Sequence, residues 1–240
     1  MGMPITVDIA DPFASQKNIE RVFSYFKYID EKFSTYKDTS EISLINSGRL
    51  GEYEYSDDMN TVFRLSEETK QNTDGYFDIV MPDGKFDPSG LVKGWSIYNA
   101  ARILNADGLK EFYIDAGGDI QANGKFWKVG IKNPFDQNQI VKVLYTKDRG
   151  IATSGTYIRG QHIHNPREKG KPISEVVSLT VIGHNIYEAD RYTTAAFAMG
   201  QKGIEFIEKL DGFEGYVIDK DGFATMTSGF EAYTREPRDA

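Results

Sequence analysis

The segment Tyr187-Glu-Ala-Asp190-Arg-Tyr-Thr-Thr194-Ala-Ala-Phe-Ala-Met199 follows a β-rich run at residues 176–182 and stops at Gly200. Alanine is the strongest helix former and glycine a common stop, so the residues after Asp190 predict a helix that ends at Gly200. On that helix Asp190 and Thr194 lie one turn apart and share a face.

Asp190 has two interpretations in this position. A carboxylate and a hydroxyl one helical turn apart can hold a hard cation such as Mg²⁺, which prefers oxygen ligands. The alternative is an ordinary capping residue or first-turn charge at the start of the helix. Capping aspartates far outnumber metal ligands, so this segment alone favours the cap, whereas the motifs elsewhere in the chain favour the metal ligand.

The composition is that of a globular protein with an acidic balance. The chain has 240 residues, 40% hydrophobic and 27% charged, with a formal net charge of −8. This charge argues against nucleic acid as a partner. The sequence contains no cysteine, which excludes disulfides, thiolate metal sites and cysteine nucleophiles. No apolar run approaches about 18 residues, so we expect no membrane span.

The compartment is not encoded in these residues. The chain opens directly into a strand-like run at residues 4–9, with no signal-peptide core before it. If the sequence is complete, we expect a cytoplasmic protein. If a leader has been removed, we expect a periplasmic or membrane-anchored one.

Hydrophobic periodicity predicts a mixture of helices and strands. The predicted helices cover residues 19–33, a short segment ending near Asn46, and residues 56–71, 91–104, 188–199 and 204–210. The predicted strands cover residues 4–9, 111–115, 125–131, 140–145 and 176–182, before a closing hairpin at 215–218 and 223–227. Because the two types do not alternate regularly, the sequence predicts an α+β fold with a largely antiparallel sheet. A doubly wound parallel sheet is the alternative.

The segment Asp87-Pro-Ser-Gly90-Leu-Val-Lys93-Gly94 breaks the backbone at Pro88 and Gly90 before a helical pattern resumes. A loop that enters a helix N-terminus is a ready anion site. Taken alone, however, a tight turn into a packed helix is the simpler interpretation. The spacing matches neither a Walker loop nor a GxGxxG fingerprint.

Histidine is scarce, and two of the three histidines, His162 and His164, stand two residues apart. On an extended backbone both side chains would point to one face. Zinc is a weak interpretation because no third histidine or cysteine is in register. A general base or a phosphate contact suits the pair better, and a hydrogen-bonded structural histidine is the alternative.

Seven motifs, each weak alone, occur in a fixed order along the chain. They are 33–36 with 40–46, Thr73-Asp-Gly-Tyr-Phe-Asp78, Asp87–Gly94 as quoted above, Ala116-Gly-Gly-Asp119, Ala152-Thr-Ser-Gly155, His162-Ile-His-Asn-Pro166, and Ala189-Asp190 with Thr194. In this order they resemble the ApbE-type FAD:protein FMN transferases, from Met1 to the closing hairpin. The resemblance implies an ApbE-like, T-fold-like architecture. It implies one domain over residues 1–240, with two subdomains around an FAD cleft as a variant.

The resemblance also implies a reaction and a site. The family transfers FMN from FAD to a threonine of an acceptor protein, releases AMP and requires Mg²⁺. By resemblance, Asp190 and Thr194 bind the metal through side chains, and Gly90 and Thr193 through backbone carbonyls. His162 matches the candidate base, which makes it with Asp190 the implied catalytic pair. The positions that match the FAD site are Met1, Tyr36, Tyr76, Phe77, Asp78, Asp87, Lys93 and His164.

The implied acceptor is a flavoprotein that presents a threonine, such as an Nqr-type, Rnf-type or fumarate-reductase-like subunit. Two other functions stay open: an FAD pyrophosphatase, in which water replaces the threonine, and a non-catalytic FAD-binding module. Three positions depart from the family pattern. The usual Asp-Pro is Asn165-Pro166, the usual Gly-Gly is Ser89-Gly90, and a Thr-Gly turn is expanded to residues 167–170.

Overall fold

The protein is an α+β fold, seen in a computed structural model that describes residues 2–156, 164–168 and 172–237. The helices in these ranges are α1 Gln16–Phe33, α2 Glu41–Asn46, α3 Asp57–Asn72, α4 Ser89–Ala106, α5 Ile186–Ala198 and α6 Lys202–Glu208. The strands are β1 Ile5–Ile9, β2 Phe112–Ala116, β3 Asp119–Asn123, β4 Trp127–Lys132, β5 Ile140–Thr146, β6 Arg149–Gly155, β7 Val176–Gly183, β8 Glu214–Asp219 and β9 Ala224–Met226. Two 3₁₀ turns, Glu52–Glu54 and Phe230–Thr234, join them. No helix in the described ranges has both the length and the apolar character needed to cross a bilayer.

Seven strands form one sheet in the order β1-β2-β3-β6-β7-β8-β9, and every neighbouring pair is antiparallel. Strands β4 and β5 form a separate antiparallel pair. The prediction of a largely antiparallel α+β fold is therefore confirmed. The doubly wound alternative is wrong, because that fold needs parallel neighbours joined by crossover helices.

The two faces of the large sheet are covered differently. On one face Phe112 and Ile114 of β2 belong to a buried cluster shared with α1, α4 and α5. On the other face Ile120 of β3 and Ile151 of β6 pack with Leu144 of the β4–β5 pair. Because side chains alternate across a strand, one sheet separates a helical layer from a β layer.

Local sequence signals account for most element boundaries. The side chains of Ser40, Ser56 and Asn185 accept the backbone hydrogen bonds that cap α2, α3 and α5. The apolar stripe of α1 is buried, at Val22, Phe26, Ile29 and Phe33. These helices, like the closing hairpin of β8 and β9, lie where the sequence predicts them.

The sequence predicts neither strand β3 nor strand β6, and β6 is the clearer case. Its run Gly-Ile-Ala-Thr-Ser-Gly, residues 150–155, mixes small and polar residues without clear alternation. Tertiary contact explains the composition at Gly150, where a Cβ would lie 2.0 Å from the backbone nitrogen of Ile186. The glycine is needed because the start of α5 passes directly over β6.

Helices α4 and α5 approach closely through two glycines one turn apart. A Cβ on Gly94 would lie 2.6 Å from Cβ of Asp190 and 2.7 Å from the carbonyl oxygen of Ile186. A Cβ on Gly90 would lie 3.1 Å from Cγ2 of Thr194. Real Cβ atoms do not tolerate the first two distances, so this helix pair requires glycine at 94.

We expect Gly94→Ala to destabilise the protein by about 1–3 kcal/mol, because overpacking forces α4 away from α5. The loss should appear even though alanine is by itself the better helix former by about 1 kcal/mol. Urea unfolding measures the change. Asn105→Ala, at an exposed position of the same helix, is the matched control and should be neutral or slightly stabilising. An equal gain in both variants would contradict the tight packing.

Candidate functional site

Asp190 lies inside α5 and faces α4. Helix α5 begins at Ile186, and its cap is Asn185, whose Oδ1 accepts the Glu188 N–H at 3.0 Å. Asp190 is the fifth residue of the helix and is only 2% exposed. The interpretation of Asp190 as a cap or first-turn charge is therefore wrong, because the helix starts earlier than the alanine-rich residues indicate.

The carboxylate of Asp190 is held at the contact between the two helices. Its Oδ2 accepts the Gly94 N–H at 2.8 Å, and its Oδ1 lies 3.6 Å from Nζ of Lys93. Burial raises the pKa of the Asp190 carboxyl, the Lys93 charge opposes that rise, and nearby Asp119 adds to it. Burial destabilises the ionised form of the Asp190 carboxylate, and a cation bound beside it would stabilise that form.

Thr194 and Gly90 meet one turn further along the same two helices. The Thr194 hydroxyl donates to the Gly90 carbonyl oxygen at 3.3 Å. Gly90 is in the first turn of α4, directly after the break at Pro88. Thr193 is fully buried, and its hydroxyl donates within α5 to the Ala189 carbonyl. The role of Thr193 as a ligand through its own carbonyl stays a prediction.

The chemistry of these groups fits a hard divalent cation. Asp190, Thr194 and the Gly90 carbonyl offer a carboxylate, a hydroxyl and a carbonyl, the oxygen ligands that Mg²⁺ prefers. Two adjacent ligands of an octahedral Mg²⁺, each at about 2.1 Å, lie about 3 Å apart. The 3.3 Å between Thr194 Oγ1 and Gly90 O is close to that separation. The described ranges contain no cluster of three His, Cys, Asp or Glu side chains, so any metal here needs the hydroxyl and the carbonyl.

Asp119 belongs to the site, although the sequence did not single it out. It starts β3, is 1% exposed, and its Oδ2 lies 2.6 Å from Nζ of Lys93. At this distance the Lys93 ammonium and the Asp119 carboxylate form a buried ion pair. The other oxygen, Oδ1, accepts the Thr153 N–H at 3.1 Å. The sequence feature that could have identified Asp119 is its charge, because it is the one charged residue in the motif Ala116-Gly-Gly-Asp119.

Phe77 and Tyr76 connect the helix contact to two other motifs. Phe77 is buried, and a Cβ on Gly90 would lie 3.4 Å from its Cε2 atom. Tyr76 is half-buried, and the guanidinium of Arg167 lies over its ring at 5.0 Å. This cation–π contact brings Arg167, which directly follows Pro166 at the end of the histidine motif, beside the Tyr76 ring.

The two remaining acidic positions serve local structure. Oδ1 of Asp87 accepts the Ser89 N–H at 3.0 Å and so shapes the turn into α4. Asp78 pairs with Lys70 at 2.8 Å and accepts the Val80 N–H at 2.9 Å. Both carboxylates flank the Phe77–Gly90 contact along the chain, and their predicted contacts with FAD stay predictions.

Tyr36 stands apart from this group. It is 97% exposed, and its backbone N–H donates to Ser34 Oγ at 3.4 Å. His164 is half-buried within the described residues 164–168. His162 and Met1, predicted as the base and as the start of the nucleotide cleft, lie outside the described residues.

The sequence of the chain matches a known protein family over most of its length. The sequence model of the ApbE family matches residues 1–83 and 80–217. The chain belongs to the ApbE family. That membership confirms the family suggested by the seven ordered motifs, and with it the expected architecture.

Two curated relatives are similar to the chain over part of their length. FAD:protein FMN transferases of Escherichia coli K12 and Vibrio cholerae are 28% and 29% identical to it over 172 and 165 residues. These matches cover 65% and 62% of this chain but 49% of each relative, so the chain spans about half the length of these curated relatives.

Two solved ApbE structures share the fold over nearly the whole chain. The ApbE protein of Thermotoga maritima superposes with a TM-score of 0.86 at 21% identity, covering 98% of this chain and 97% of that one. The flavin transferase ApbE of Vibrio cholerae gives 0.83 at 22% identity, covering 97% and 96%. At these identities the likeness shows the fold.

We expect Asp119→Asn to destabilise the protein by about 2 kcal/mol. Breaking a buried ion pair costs about 3–5 kcal/mol. The cost is smaller here because Lys93 is partly exposed and keeps Asp190 as a second acidic partner. Chemical unfolding measures it. Asp83→Asn, which removes an ion pair with Lys85 on the surface, is the control and should leave the midpoint unchanged. Equal midpoints for both variants would mean that the Asp119–Lys93 pair contributes nothing.

Proposed function

We propose that this protein transfers FMN from FAD to a threonine side chain of an acceptor flavoprotein, with release of AMP and with Mg²⁺ as the metal. The observation that carries the proposal is the meeting of Asp190, Thr194, Gly90 and Lys93 at the α4–α5 contact. Membership of the ApbE family and the names of the relatives supply the reaction. The acceptor class is an Nqr-type, Rnf-type or fumarate-reductase-like subunit.

The charge balance of the chain explains why a metal is needed. The pyrophosphate of FAD is dense in negative charge, and the protein itself carries a net charge of −8. Phosphoryl transfer is accelerated mainly by alignment and by cations that neutralise the phosphate oxygens. In our proposal Asp190, Thr194 and the Gly90 carbonyl hold Mg²⁺, which when bound supplies that neutralisation. Lys93 adds a fixed positive charge beside it.

The acceptor hydroxyl needs a base because a neutral threonine is a weak nucleophile. We assign this role to His162, which takes the hydroxyl proton. The threonine oxygen then forms a bond to the phosphorus of the FMN half. The bond from that phosphorus to the bridging oxygen breaks, and AMP leaves with that oxygen.

The aromatic residues suit the flat rings of the dinucleotide. Phe77 is buried against Gly90 and anchors its segment, whereas the half-buried Tyr76 can offer part of its ring to a ligand. Tyr36 is exposed and can meet a ligand without any change in the core. If a bound ligand covers this side chain, the aromatic ring would limit the access of water there, which favours transfer over hydrolysis.

Asp190→Asn should abolish transfer of flavin to the acceptor, because it removes the one anionic ligand from the proposed metal set. The assay incubates the protein with FAD, Mg²⁺ and an acceptor fragment, and detects covalent flavin as a fluorescent band on a denaturing gel. Glu188→Gln, two residues away on the same helix, is the matched control and should keep wild-type activity. Loss of function in both variants would assign the effect to α5 in general.

The same assay separates the alternative functions. FMN and AMP appearing at the full rate without acceptor would make the protein an FAD pyrophosphatase. FAD binding that is indifferent to Mg²⁺ and to Asp190→Asn, with no turnover, would make it a binding module. No covalent band with several acceptor classes, despite tight FAD binding, would contradict the transferase proposal.

His162→Ala should lower kcat for transfer by about 10²–10⁴-fold, the usual contribution of a positioned base, with a much smaller change in the Kd for FAD. Steady-state transfer rates and equilibrium titration of FAD measure the two quantities. His184→Ala, a histidine that contacts Arg149 and the Asp211 carbonyl instead, is the control. Equal losses of transfer and of FAD binding in His162→Ala would remove the base role.

A further inference from the structure

Arg191 is a buried cation without an acidic partner. Arg191 is only 8% exposed. Its guanidinium lies over the rings of Tyr187 at 4.9 Å and Tyr192 at 4.5 Å. Nη2 donates to the Tyr192 hydroxyl at 3.1 Å, and Nε has no hydrogen-bond partner. Throughout the described ranges no carboxylate forms an ion pair with this guanidinium.

Stability alone does not account for this residue. A buried charge costs free energy unless it is paired and fully hydrogen-bonded, and stacking on aromatic rings returns only part of that cost. Replacing buried charged groups by apolar residues of similar size is often neutral or stabilising. Arg191 also adjoins Asp190, so its placement bears directly on the proposed metal site.

A line of hydrogen bonds runs from Arg191 to the segment predicted to contact FAD. Nη1 of Arg191 donates to Thr69 Oγ1 on α3 at 3.3 Å. The Thr73 hydroxyl donates to the Thr69 carbonyl at 2.7 Å, and the Phe77 N–H donates to the Thr73 hydroxyl at 3.2 Å. Each of these bonds is buried, so the end of α3 is tied to α5 on one side and to Phe77 on the other.

Further contacts lead from Phe77 back to α5 on the other side of the site. The Phe77 ring lies against Gly90, and the Gly90 carbonyl accepts from Thr194, one turn beyond Arg191 on α5. Between Thr73 and Tyr76 the chain turns sharply through Asp74, which has a φ of 51°. Aspartate adopts this left-handed conformation more readily than most residues, so the turn brings Tyr76 and Phe77 directly after the end of α3.

We propose that Arg191 is a positioning residue for the dinucleotide site: through Thr69 and Thr73 it fixes residues 76–78 relative to the Asp190–Thr194 face of α5. The consequence for FAD rests on the proposed function, whereas the mechanical link does not. The guanidinium is suited to this role because its planar set of donors reaches α3 and Tyr192 at once.

The test compares Arg191→Met with the wild type by three measurements on the full chain. We expect a thermal midpoint that is unchanged or higher, because an unpaired buried charge has been removed. We expect faster amide hydrogen exchange for residues 73–78 in the ligand-free protein. We expect the Kd for FAD, measured with Mg²⁺ present, to rise about 3- to 30-fold.

Three further variants separate positioning from general packing. Thr69→Val removes the acceptor of the Arg191 bond and should reproduce the exchange and FAD effects, and the double variant with Arg191→Met should be no worse than either single one. Thr69→Ser keeps the hydroxyl and should behave as wild type. Arg64→Met, an exposed ion-paired arginine on α3, should change none of the three measurements.

The outcomes distinguish this proposal from the proposed function. A lower thermal midpoint with unchanged exchange at 73–78 would make Arg191 a packing residue and overturn the inference. If the wild type binds FAD but transfers no flavin, the transferase proposal fails, and the exchange and Kd data still decide the role of Arg191. If the wild type does not bind FAD at all, the exchange data alone decide it.

Discussion

The close contact between α4 and α5 is the constraint on which the rest of the structure depends. Glycine at 94 lets the backbone of α4 come within reach of the Asp190 carboxylate, which accepts the Gly94 N–H. One turn away the Gly90 carbonyl meets the Thr194 hydroxyl. A larger residue at 94 would separate the helices and the polar groups together, and a Cβ at 90 would press on the Thr194 methyl group. The two glycines therefore determine both the packing of α4 against α5 and the positions of the proposed metal ligands.

The protein concentrates buried charge in one small region. Asp119 and Asp190 flank Lys93, so two carboxylates share one ammonium group at 2.6 and 3.6 Å. Burial raises the pKa of Asp190, the Lys93 charge opposes that rise, and the second carboxylate, Asp119, adds to it. This arrangement suits a site that gains a cation before it meets an anionic ligand. Arg191, the next residue on α5, pairs with no carboxylate in the described part of the chain and instead donates a hydrogen bond to Thr69 on α3.

The sequence by itself determined the helices, most of the strands and the type of each of these elements. Helical periodicity, serine caps and the closing turn placed the six helices and the last hairpin close to their observed bounds, because these signals act within a few residues of each other. The order of the seven motifs determined the family. The pair Asp190 and Thr194 was also readable, since residues four apart on a helix always share a face.

Only the tertiary structure decided how these elements meet. Strand β6 was not predicted because its composition is set by packing against the start of α5, which is far away in sequence. The sequence alone favoured Asp190 as the helix cap, whereas in the structure Asn185 caps α5. Asp119 and Arg191 became visible only through Lys93 and Thr69, their partners 26 and 122 positions distant. Contacts between residues so far apart depend on the whole packed chain, which no local pattern records.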